Sequence, residues 1–145
     1  MGRKQKNAKP PDFLTAKRTY DHNHHIKLFD EMIDSPAWIV LSDGAKNVYL
    51  VIVKEYKGMY TGNKVKCPYS TMKNHGIRTQ SIAGWLAELE ALGFLKISTR
   101  GGLYKIPNEY TLVSEWSQIQ SVEEARSKKR SALDKRKAAR EIKEE

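Results

Sequence analysis

Between positions 78 and 84 the 145-residue chain reads Arg78-Thr79-Gln80-Ser81-Ile82-Ala83-Gly84. The first four side chains carry the hydrogen-bonding groups that read base edges. An arginine guanidinium donates two parallel bonds to guanine, a glutamine amide pairs with adenine, and serine or threonine hydroxyls meet bases or phosphates. Gly84 removes a side chain and lets a polymer backbone come near, at about 1 kcal/mol of helix stability against alanine. Ahead of this run stand Lys64, Lys66, Ser70, Lys73 and His75, and beyond it Arg100 beside Gly101-Gly102. From Lys46 to Gly84 there are seven basic residues against Glu55 alone. Such groups suit phosphate contact; the competing reading is a solvated polar surface.

Other chemistries are poorly supplied. His22, His24 and His25 are close in sequence, but no rigid scaffold is evident around them, and no metal site is expected. Cys67 is the single cysteine, which excludes an intramolecular disulfide and a multi-thiolate zinc site. It precedes Pro68 in an extended stretch and reads as a small packed residue rather than a nucleophile. No nucleophile elbow, phosphate-cradling glycine loop or separated carboxylate pair appears. Neither enzyme activity nor a cofactor is expected.

The elements that must position these residues follow from hydrophobic spacing and from caps. Asp30–Ile33 and the stretch after Ser35-Pro36 read as short helical turns. Ser42 is a good N-cap for a helix with Ala45, Val48, Tyr49, Ile52, Val53 and Tyr56 on its apolar face, expected to stop at Gly58. Val65–Pro68 reads as extended. Ser70 caps a short helix over Thr71–Asn74, which Gly76 ends in a tight turn. A longer helix opens at Arg78 or Thr79 and runs to about Leu92. Ile82, Leu86, Leu89 and Leu92 face inward, Trp85 lies on the flank, Glu88 and Glu90 lie outside, and Gly93 terminates the helix. Phe94–Ser98 and Leu103–Ile106 read as strands around a Gly-Gly turn, with Tyr110–Val113 extending the ribbon.

The run from Tyr69 through Ile82 resembles the helix-turn-helix of bacterial winged-helix proteins. Trp85-Leu86-Ala87-Glu88-Leu89-Glu90-Ala91-Leu92-Gly93-Phe94-Leu95-Lys96-Ile97 resembles their recognition helix and first wing strand. The upstream part, Ile26-Lys27-Leu28 through Ser35-Pro36-Ala37-Trp38 and on to Tyr56, is similar to small winged-helix proteins of plasmids, phages and integrative elements. Some of these are similar in turn to the N-terminal domain of phage and plasmid replication initiators. The resemblance covers about residues 25–116. One departure is Arg78, where the family usually has a capping Ser or Thr; Thr79 capping instead would shift the helix start.

The resemblance implies an α+β, mainly α fold: a winged helix-turn-helix with a short β-hairpin wing and a charged C-terminal helix. It also implies sequence-specific binding of double-stranded DNA, with a recognition helix over about 79–92 in the major groove and a wing over 99–103. Base readout falls to Arg78, Thr79, Gln80, Ser81 and Gly84. Phosphate or wing contacts fall to Lys64, Lys66, Ser70, Lys73, His75 and Arg100. Expected roles are transcriptional regulation, DNA replication or service to a mobile element. The alternative is a protein-interaction module on the same scaffold without direct DNA readout.

Charge distribution sets the domain limits. Lys and Arg total 26 against 17 Asp and Glu, a formal +9. Residues 1–18 hold six basic side chains and Asp12, so 1–19 reads as a disordered basic arm. The globular domain is expected over 20–116. Residues 117–145 form a charged helical or partly disordered tail, available to a protein partner. Trp116, Ile119 and Val122 have two readings of equal weight, a contact with a second subunit in a homodimer or packing within their own domain. No apolar run is long enough to span a bilayer, and no secretory signal follows the basic start; a cytoplasmic protein is expected.

Overall fold

The computed structural model of the chain describes residues 26–56, 63–99 and 108–144. In chain order the elements are α1 (Asp30–Ile33), α2 (Pro36–Val40), α3 (Asp43–Lys54), β1 (Lys64–Lys66), α4 (Tyr69–Asn74), α5 (Thr79–Ala91), β2 (Leu95–Thr99), β3 (Glu109–Leu112), a 3-10 turn (Glu115–Gln118) and α6 (Val122–Glu144). The architecture is α+β and mainly helical. Its one described sheet has three antiparallel strands in the order β1-β3-β2. Val65 pairs with Tyr110 on one side of β3, and Ile97 pairs with Tyr110 on the other.

Helix starts follow local chemistry. The Ser35 hydroxyl accepts from the Trp38 amide at 3.2 Å, and Pro36 occupies the first turn of α2, where no amide donor is needed. The Ser42 hydroxyl accepts from the Ala45 amide at the start of α3. α3 buries Ala45, Val48, Tyr49, Ile52 and Val53 as its spacing predicts. It stops at Lys54 rather than at Gly58. The Glu55 amide is shared between the Val51 and Ile52 carbonyls, and the Tyr56 amide turns back to Val53 at 3.0 Å. This tightened last turn carries Tyr56 inward, where it is buried, although it is no longer helical.

Among the described residues, the two glycines with a left-handed backbone end helices in the same way. After α4, Gly76 (φ 88°) donates to Lys73 and Ile77 donates to Met72; after α5, Gly93 (φ 84°) donates to Glu90 and Phe94 donates to Leu89. Each is a Schellman closure with its buried apolar pair, Met72 with Ile77 and Leu89 with Phe94. Gly93 has a second constraint, because a Cβ there would lie 2.6 Å from the Trp116 amide nitrogen. Since Phe94 is spent on this closure, β2 begins at Leu95 rather than at Phe94. The observed returning strand is Glu109–Leu112, while 103–106 lies outside the described residues.

Phe94 is the hub of an aromatic core. Its ring meets Trp38 and Tyr49 edge-on at 5.9 and 5.5 Å and stacks on Trp116 at 6.2 Å. Trp116 and Ile119 are therefore buried within their own domain rather than presented to a second subunit. α6 packs on α2 and α5 with Ala125 fully buried.

Candidate nucleic-acid interface

Pro68, extended at φ −70° and ψ 160°, stands before α4, and its carbonyl accepts from Thr71. The helix thus begins at Tyr69, one residue before the expected cap. Ser70 is not the N-cap but an exposed residue in the first turn. Met72 anchors α4 from beneath, which leaves Lys73 exposed in the last turn, where a cation is favoured by the helix dipole. His75 Nδ1 lies 2.8 Å from the Thr71 carbonyl oxygen. A carbonyl only accepts, so Nδ1 carries the proton, and Nε2 is left to the outside.

α5 begins at Thr79 with Arg78 as its N-cap residue, so Thr79 is not the cap. Arg78 supplies no side-chain oxygen, and no side-chain cap closes this end of α5. Uncapped amides at a helix start favour an anion. Ile82, Leu86 and Leu89 hold α5 to the core, which turns Arg78, Thr79 and Gln80 outward as exposed residues, with Ser81 half-buried. The turn through His75, Gly76 and Ile77 brings Lys73 and Arg78 to neighbouring helix ends. Gly84 is half-buried, and a Cβ built on it would lie 3.8 Å from the Arg136 guanidinium of α6.

The remaining charge of the 46–84 stretch divides. Lys46 sits over the Trp38 ring at 5.6 Å, and Lys54 lies 3.7 Å from Glu55, so both are committed elsewhere. Lys64 and Lys66 flank buried Val65 on β1 and are exposed; Lys66 stands opposite Glu109 in the ladder, whereas Lys64 faces Thr111. Arg100, the expected wing tip, the expected basic arm and the three histidines at 22–25 lie outside the described residues. Cys67 is fully buried, and desolvation pushes its thiol up to about 12, with Glu55 adding to the rise and Lys54 opposing it. A thiol held protonated in this way is a poor nucleophile.

Two features escaped the sequence reading. Glu88 is not outside but 4% exposed. Its two oxygens accept from the Ser42 amide at 3.0 Å and the Ser42 hydroxyl at 2.9 Å, and Lys129 Nζ stands 3.5 Å away. Lys129 also donates to the Val40 carbonyl at 2.9 Å, so one carboxylate ties α5 to α3 and α6. The signal was available in part, since Glu88 lies three residues after Trp85 and four before Leu92, on the edge of the apolar stripe. The second feature is the charge of α6. Summed over 121–145 it is only +3, but the acids crowd the ends.

Among the described residues no group of three or more His, Cys, Asp or Glu side chains is placed to hold a metal, and no helix is long and apolar enough to cross a membrane. Comparison with protein-family models, with curated proteins and with solved structures finds no match to this chain.

Proposed function

We propose that the chain is a winged helix-turn-helix protein that binds double-stranded DNA sequence-specifically, with α5 entering the major groove. The observation that carries this reading is the exposure of Arg78, Thr79 and Gln80 at the uncapped start of a helix pinned from behind by Ile82, Leu86 and Leu89. The order α3-β1-α4-α5-β2-β3, with the strands antiparallel, supports it. Arg78, Thr79, Gln80 and Ser81 contact base edges. Ser70, Lys73 and His75, with Lys64 and Lys66 from β1, meet phosphates; for Arg100, which lies outside the described residues, a DNA contact is what the winged-helix resemblance implies. The biological setting is transcriptional regulation, or an accessory role in replication or in a mobile element.

The test is fluorescence anisotropy of the full chain with a duplex selected from a random pool. Arg78→Ala should cost about 1–3 kcal/mol on the selected site and relax its preference, whereas Lys73→Ala should weaken all duplexes alike and lower the salt slope by about 1. Absence of duplex binding at low salt would refute the proposal in favour of a protein-interaction module.

A further inference from the structure

Nine charged residues lie between Arg126 and Arg140, and eight are basic; Asp134 is the exception. Lys129 is spent inward on Glu88 and Val40. The others are exposed, apart from half-buried Arg136, and among the described residues none of them makes an ion pair. α6 tracks α5 in the opposite direction, because Lys129 meets Glu88 while Arg136 lies over Gly84. Ala125, Lys129, Ala132, Arg136, Arg140 and Lys143 recur at helical spacing and share one face. The first three face the protein, as full or partial burial shows. From Lys137 to Lys143 every residue is exposed, so the helix runs on beyond the body there.

At 1.5 Å per residue, Arg136 to Lys143 spans about 10 Å, and Gly84 to Thr79 about 7.5 Å. The end of α6 therefore reaches the level of Arg78. We propose that Arg136, Arg140 and Lys143 form a second phosphate-binding strip, gripping the DNA backbone beside the groove that α5 enters. This rests on the reading of α5 given above. The Arg136 guanidinium lies across α5 at Gly84, 3.8 Å from where a Cβ would stand. Charge selects the partner: a helix with this basic excess repels a second copy of itself. Past Arg136 it offers only Ala138, Ala139 and Ile142 as an apolar seam, while Arg136, Lys137, Arg140 and Lys143 outnumber Glu141 and Glu144 there and suit phosphate.

The test uses the full chain and a labelled random-sequence duplex, titrated from 50 to 200 mM salt. The variant Arg136→Gln/Arg140→Gln/Lys143→Gln retains helix propensity, and its far-UV circular dichroism is checked first. Loss of three phosphate contacts should flatten the salt slope by about 2.7, so that wild-type affinity falls about 40-fold more than the variant's over that range. The charge-matched control Arg126→Gln/Arg130→Gln/Lys137→Gln, on the flank toward α2, should flatten it much less. An equal effect in the control would overturn the placement of the strip. An unchanged slope in the first variant, with Arg78→Ala still weakening binding to the selected duplex, would overturn the strip and leave α5 as the reader. A dimer that the first variant dissociates without a change of slope would assign α6 to self-association. Failure of the wild-type chain to bind any duplex would remove both proposals together.

Discussion

Replacing Glu88 by alanine removes a carboxylate that joins three helices. Two hydrogen bonds to a charged acceptor are lost, those from the Ser42 amide and hydroxyl at 3.0 and 2.9 Å, and bonds of this kind contribute about 1.5–3 kcal/mol each. Relief of the buried carboxylate's own desolvation offsets part of that loss. The Lys129 side chain is 26% exposed at 3.5 Å, so its ion pair with Glu88 adds no more than about 1 kcal/mol. The sum is a destabilisation of roughly 2–4 kcal/mol. For a chain of this size that lowers Tm by about 8–16 °C. Urea unfolding followed by circular dichroism, with an unchanged m-value, measures it directly. Glu88→Gln keeps the shape and one acceptor and should lose about half as much. A cycle with Lys129→Met separates the ion pair from the cap. If Glu88→Ala stays within about 0.5 kcal/mol of wild type, the carboxylate is not what holds α3 and α6 to α5.

Three further outcomes follow from single positions. A Cβ on Gly44 would stand 2.0 Å from the Trp85 ring, so Gly44→Ala must displace the indole; it should cost about 1–3 kcal/mol and red-shift tryptophan emission, since Trp38 and Trp116 stay buried. Gly84→Ala meets only the Arg136 guanidinium at 3.8 Å, an ordinary contact, and should raise stability by up to about 1 kcal/mol in denaturant titration. Cys67 keeps its proton in the folded chain to about pH 12, while the unfolded chain releases it above about pH 9. The folded state then holds more protons, so the thiol's contribution is intact below pH 9 and is lost progressively as pH rises toward 12. The stability advantage of wild type over Cys67→Ala should shrink over that interval, and a thiol reagent at pH 8 should label the native chain only as fast as it opens.

Much of the architecture was legible because the signals are local. The Ser42 cap, the proline in the first turn of α2, the glycine closures at 76 and 93, and the inward stripe Ile82-Leu86-Leu89-Leu92 each depend on residues within one or two turns of each other. Errors came where a local rule met a distant partner. Apolar spacing continues through Tyr56, so the helix looked longer than α3 is; a 3-10 turn buries the same side chain. Glu88 looked like surface charge because nothing nearby in sequence announces that Ser42, 46 positions earlier, supplies two donors. The exposed positions at 78–80 followed once the opposite face was known to be apolar.

What the residues determine alone is what steric permission and periodicity decide. Glycine must stand where φ is positive, hydroxyls cap, and an amphipathic helix has one buried side. Only the folded chain decided which long-range partners satisfy the polar groups left over. Ser42 and Lys129 make a buried carboxylate stable at position 88, and α2 and α5 give α6 a surface to lie on. That docking is invisible in a helix whose apolar stripe is thin. α6 is held largely by small residues and one lysine whose partners lie 41 and 89 positions away in sequence. The same docking turns a segment of modest net charge into a directed row of cations, because tertiary contact consumes Lys129 and leaves its basic neighbours facing outward.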